Sequence, residues 1–185
     1  MSEIERAYAA ANAVLAGVEQ EDLSKPTPCA SWDVRSLINH MAGAARFFGV
    51  TARTGKGPQD PDEDVAASDF RARFSSLADE AVAAFSAEGT LEKTMTLPFG
   101  EVPGSVVMNM AATDAFVHAW DLARATGQPS DLDPELAEQL LVAARQMLQP
   151  GMRGPDGERA FGPEQPAPPG APAADRLAAF MGRCV

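Results

Sequence analysis

Histidine is almost absent from this chain: two residues in 185, His40 and His118. A mechanism that needs a cluster of imidazoles is excluded, and whatever histidine does here falls to this pair. Cysteine is equally scarce. Cys29 and Cys184 stand far apart with no Cys-x-x-Cys spacing, which argues against a disulfide framework and fits a reducing cytosol. Basic clusters are missing too. The 15 lysines and arginines lie scattered among 26 acidic residues, for a net charge of −11 and a pI of about 4.5. Such a surface repels nucleic-acid phosphates and anionic membranes, so neither is an expected partner. No apolar run approaches the ~18 residues that mark a membrane span. The opening Met1-Ser2-Glu3-Ile4-Glu5-Arg6 has no basic segment followed by an apolar one. The expectation is a cytoplasmic protein without a signal peptide. Gly55-Lys56-Gly57 is too short for a phosphate-binding loop, and no serine stands in a nucleophile-elbow sequence.

What is present reads as one helical domain with a tail. Apolar residues make up 45% and charged residues 22%, ordinary for a globular protein able to bury a core without staples. A first helix is expected over 2–18, opened by a Ser2/Glu5 capping box and striped by Ile4, Tyr8, Ala11, Val14, Leu15 and Val18. Pro26 and Pro28 enforce a loop. A second helix is expected from Ser31 as N-cap, with Val34, Leu37, Ile38, Met41, Ala45 and Phe48 inward and the 55–61 segment as its end. A third is expected from Asp62 to Ala87 and a fourth from Ser105 to Thr126, stopped by Gly127 and Pro129. Between them, residues 94–102 alternate and turn at Gly100, as a small hairpin or an extended link. A fifth helix opens at Asp133-Pro134-Glu135 and ends before Pro150. Residues 150–172 are about half proline and glycine, which predicts an irregular surface tail, with Phe161 as its candidate anchor. A short last helix is expected over 175–181. The expected fold is all-α: an up-and-down four-helix bundle over 1–149, with a Pro/Gly-rich tail over 150–185 packing on it.

Within that frame the two histidines stand out. His118 lies in Asp114-Ala115-Phe116-Val117-His118-Ala119-Trp120-Asp121. At about 100° per residue, Asp114 and His118 differ by roughly 40° in azimuth and about 6 Å along the axis. Asp121 shares the stripe but lies about 10 Å from Asp114 along the axis. One ion can be held by Asp114 with His118, or by His118 with Asp121, hardly by all three. His40 sits on the second helix beside Gly43 and Ala44, small residues that leave space next to the ring. Two imidazoles and a carboxylate suit zinc, nickel or iron(II), and three protein ligands leave positions open for water or substrate. The same spacing also fits core packing and a surface ion pair. Trp32 and Trp120 read as residues that seal the bundle. Cys29, just before a helix, reads as a small buried residue rather than a nucleophile, because no third histidine remains to activate it.

The stretch Thr27-Pro28-Cys29-Ala30-Ser31-Trp32-Asp33-Val34-Arg35-Ser36-Leu37-Ile38-Asn39-His40 resembles the opening motif of the mycothiol-dependent maleylpyruvate isomerase N-terminal domains. These belong to the DinB-like superfamily of metal-binding four-helix bundles. Asp114 to Gly127 resembles that family too, and Phe161-Gly162-Pro163-Glu164 with Asp175-Arg176-Leu177 and Gly182-Arg183 is similar to the tail of small, mostly actinobacterial members. The resemblance implies one divalent ion, zinc before nickel or iron, held by His40, Asp114 and His118. It implies mycothiol as co-substrate and a small electrophile as partner, in an S-transferase or isomerase reaction. It assigns no catalytic residue. The alternative is a non-catalytic metal-binding or sensing protein with a structural ion, and homodimers are frequent among such bundles. Two departures stand out. The isomerase has glutamate where this chain has Asp114, and it carries a C-terminal domain for which 185 residues leave no room.

Overall fold

The computed structural model of the chain describes residues 1–60, 63–155 and 161–185. Helix α1 spans Glu3–Ala16, and Ser2 and Glu5 cap it reciprocally. Helix α2 spans Val34–Thr54 and ends at Gly55, whose φ of 81° places it in the left-handed region that glycine adopts without a steric cost. Its N-cap is Asp33, which accepts from Ser36 N, and not the expected Ser31. The 25–34 segment folds back on itself first: Thr27 N donates to Trp32 O and Val34 N to Lys25 O. Ser31 is thus spent in a turn, and the helix begins two residues later than expected.

Helix α3 spans Phe70–Ser86, with Asp69 as N-cap. The expected start, Asp62, lies outside the described residues, and residues 63–69 form no α-helix. A 3-10 turn at Val65–Ala67 buries Val65 and Ala66 instead. Asn39 of α2 holds that turn, accepting from Ala66 N at 2.8 Å and donating to Asp64 at 2.9 Å. A tertiary tie therefore overrides local helix propensity. Strands β1 (Thr94–Leu97) and β2 (Gly100–Pro103) pair antiparallel with Leu97 opposite Gly100. The turn is Pro98-Phe99, one step before the expected Gly100, which opens the return strand at φ 136°.

Helix α4 spans Gly104–Thr126. Gly104 packs so closely on the Thr90 carbonyl that a Cβ would collide with it. Helix α5 spans Pro134–Met147, capped by Asp133. Helix α6 spans Ala173–Phe180, two residues ahead of the expected 175–181. Among the described residues there are six α-helices, and none is long and apolar enough to cross a membrane.

Helices α1 to α4 form the bundle. α1 packs on α3 and α4, and α2 packs on the same two. α4 is central, and its Ala111, Ala112, Ala115, Ala119 and Ala123 are buried. Small side chains there let neighbours approach, while Phe116 and Trp120 fill the remaining space at 0% and 1% exposure. α5 and α6 pack on each other and on α4. The tail is fixed to this layer. Gly154 N donates to Phe161 O, and Arg153 donates to the carbonyls of Gly162 and Phe180. Phe161 is partly buried and packs against the core. Phe116→Ala should cost about 3–5 kcal/mol, because a large void opens where no helix can collapse into it. A fall in the urea midpoint at unchanged m-value checks this.

Candidate metal centre

The site is built by α2, α4 and the chain's C-terminal end. α2 carries His40 two turns in from its N-cap, and the folded 25–34 loop lays Trp32 beside it. The Trp32 ring lies 4.5 Å from His40 and 5.7 Å from His118, centroid to centroid. The two imidazoles meet edge to face at 4.7 Å. Asp114 lies between them: its Oδ1 is 3.5 Å from His40 Nε2 and 3.6 Å from His118 Nε2. These three atoms all lie within 4.8 Å of one another. Among the described residues, His40 Nε2 is buried and has no hydrogen-bond partner, with Asp114 Oδ1 at the limit of reach. A buried nitrogen left unpaired is costly, so its lone pair or proton calls for a partner in that space.

Asp121 does something different. It is fully buried, and its Oδ2 lies 2.9 Å from His118 Nδ1. Arg183 forks onto it, Nε to Oδ1 at 3.1 Å and Nη2 to Oδ2 at 2.8 Å. Burial alone would raise the Asp121 carboxyl, but the His118 hydrogen bond and the Arg183 guanidinium outweigh it and hold it at about 2. Asp121 is therefore an acceptor, which puts the His118 proton on Nδ1 and leaves Nε2 facing Asp114 and His40. A carboxylate behind an imidazole in this way orients the ring and fixes its tautomer. At Asp114, burial also pulls upward, and His118 and His40, with Arg183 behind them, hold the carboxyl below the usual carboxylate range.

Cys29 belongs to the same layer. Its Sγ lies 3.3 Å from Asp121 Oδ2, to which it donates, and 3.3 Å from Arg183 Nη2. Burial, then the Asp121 charge, push the thiol up to about 12 despite Arg183. Cys29, His118 and Asp121 form a second convergent donor group, but the Arg183 guanidinium pairs with two of its three members and supplies the positive charge itself. A thiol so raised is inert. Iodoacetamide at pH 8 should label the exposed Cys184 and spare Cys29 in the native protein, and label both after unfolding. Peptide mapping reads the outcome; rapid alkylation of Cys29 in the folded state would contradict the placement.

The structure thus brings His40, Asp114 and His118 together and turns Asp121 to the far side of the His118 ring. Sequence reasoning noted Arg183 only as part of a tail motif and gave it no place in the site, and it missed Trp32 as a wall of the site. The clue for the first was available: Asp121, three residues after His118 in an apolar stretch, needs a cation to be buried.

Residues 4–123 match the mycothiol maleylpyruvate isomerase N-terminal domain family. The chain belongs to this family. Two uncharacterized proteins from two strains of Mycobacterium tuberculosis are 44% identical to it over 182 residues, covering 98% of this chain and 96% of each relative. Among solved structures, a mycothiol-dependent maleylpyruvate isomerase is similar at 19% identity and a TM-score of 0.59, over 76% of this chain. The chain spans 65% of that protein's length. A DinB-like protein from Bacillus subtilis is similar at 16% identity and a TM-score of 0.54, covering 68% of this chain and 88% of that one. The family member described here thus has the DinB-like bundle. Its donor atoms sit on α2 and α4, inside the matched residues, while Arg183 comes from beyond them.

Proposed function

We propose that His40, Asp114 and His118 hold one divalent ion, zinc before nickel or iron, and that the site transfers a low-molecular-weight thiol such as mycothiol to a small electrophile. The observation that carries the first half is the convergence of three potential ligand atoms, one each from His40, Asp114 and His118. The chemistry of the set fits. Two nitrogens and one carboxylate oxygen are ligands of choice for these ions, and three ligands leave room for substrate. The thiol half is supported by the family and by the mycothiol-dependent neighbour. A free thiol of that kind stays reduced in a cytosol, which fits a cytoplasmic protein.

The ion, when bound, supplies the positive charge that makes a neighbouring thiol ionise near neutral pH. The chain's own residues do the rest. Asp121 keeps the His118 proton on Nδ1. Asp114 brings a negative charge to the donor set. Trp32 walls the histidines from one side. His40 and Asp114 are about one-third and one-quarter exposed, which supports access from solvent.

The test has two steps. Metal content of the untagged protein is measured first by inductively coupled plasma mass spectrometry. The metal-loaded protein is then offered mycothiol and a generic electrophile, and adducts are sought by mass spectrometry. Metal without adduct sinks the transfer reading. The alternative is then a structural or sensing ion, for which a chelator should lower the melting point by many degrees.

A further inference from the structure

Arg183 arrives at the site from the far end of the chain, and its delivery is built into the tail. After α6 the backbone turns through Gly182 at φ 99°, where a Cβ would lie 2.8 Å from Gly162 Cα. Arg183 N donates to Ala178 O at 3.0 Å, and its Nη1 to Met181 O at 3.0 Å. Arg153 in turn ties Gly162 to Phe180. The guanidinium is thus held on both sides, and its side chain is only 12% exposed.

The contacts at Asp121 are unequal. His118 Nδ1, Cys29 Sγ and Arg183 Nη2 all meet Oδ2. Among the described residues, Oδ1 has one side-chain donor, Arg183 Nε. Without Arg183 the carboxylate would be held at one oxygen, free to swing about its Cβ–Cγ bond. With the fork in place the carboxylate plane is fixed, and so is the direction in which it takes the His118 proton. A planar guanidinium is suited to this; an ammonium makes only one of the two bonds.

We propose that Arg183 is a positioning residue: by clamping Asp121 from the C-terminal tail it fixes the tautomer and orientation of His118, and thereby the strength of the metal site. The statement about the metal rests on the reading given under Proposed function; the statement about His118 does not. The tail would then be part of the centre rather than a cover for the bundle.

Two readouts on the full chain separate the parts. Nitrogen-15 NMR of the His118 ring in chelator-treated protein reports the tautomer. Competition with a chromophoric chelator gives the zinc dissociation constant. The parent is expected to show a single Nδ1–H tautomer. Arg183→Met should show mixed tautomers and bind zinc ~10–100-fold more weakly, the range for losing a partner behind a metal ligand, and Arg183→Lys should recover part of both. An Arg183→Met protein with a single Nδ1–H tautomer and unchanged zinc affinity overturns the proposal. If the parent binds no zinc but Arg183→Met still mixes tautomers, the metal reading fails and the positioning of His118 stands. Should Arg183→Met not fold, Gly182→Ala takes its place, since it keeps the arginine but presses a methyl group on Gly162. Mixed tautomers support the clamp there, and parent-like values in both readouts overturn it.

Discussion

His40→Ala and His118→Ala should each empty the metal site, taking the bound ion from near one equivalent to less than about a tenth, because two remaining donors hold such an ion far more weakly than three. The measurement is metal content of purified, untagged protein, before and after reloading with zinc. The two variants should differ in stability. His40 is about one-third exposed and Nε2 has no hydrogen bond to lose, so the metal-free His40→Ala protein should unfold close to the metal-free parent. His118 is 8% exposed and bonded to Asp121, so its removal also costs packing and a hydrogen bond. A parent that stays metal-free after reloading would end the metal reading and leave the histidines as packing residues of the bundle. Asp114→Asn gives an intermediate case. It keeps one oxygen but loses the charge, so the ion should be retained weakly and released first to a competing chelator.

The second large effect is expected at Asp121. Asp121→Ala leaves the buried Arg183 guanidinium without its carboxylate and removes the acceptor of both His118 Nδ1 and Cys29 Sγ. Breaking one side of a buried ion pair costs about 3–5 kcal/mol, since the remaining charge stays behind without compensation. Urea unfolding of metal-free protein measures it. The double variant Asp121→Ala with Arg183→Met decides whether the pair is the cause. Removing both charges should cost less than the sum of the single changes by about 1 kcal/mol or more, the signature of residues in direct contact. Strict additivity would mean that the two side chains act independently, contrary to the fork that joins them.

The elements were legible where a local signal decided them. Ser2 with Glu5, Asp133 with Pro134, and Gly127 mark helix ends by short-range chemistry, and each stands where the sequence puts it. The starts of α2 and α3 were less legible. Ser31 is a good cap by type, but the turn that joins Lys25 to Val34 uses it, and Asp33 caps instead. Residues 63–69 could continue a helix on propensity, yet Asn39 from another helix pulls Ala66 into a 3-10 turn. Neither contact leaves a trace in the local sequence.

The same division runs through the candidate site. Helical spacing alone, 40° and one turn, puts Asp114 and His118 on one face, and the sequence needs nothing further to pair them. Composition alone, with a net charge of −11 and no basic cluster, argues against a nucleic-acid partner. Spacing along α4 could not choose between Asp114 and Asp121, because both share the His118 stripe. The choice is made by what packs on each side. His40 of α2 and the loop Trp32 lie toward Nε2, where Asp114 is. Arg183 and Cys29 lie toward Nδ1, where Asp121 is. These partners are far from α4 in sequence, and only the crossing of helices and the turn at Gly182 bring them in. The sequence by itself determined an acidic, helical family member with two histidines worth placing. The tertiary structure decided which carboxylate faces the second imidazole and which is held by an arginine, because a buried charge takes its role from whatever the fold sets beside it.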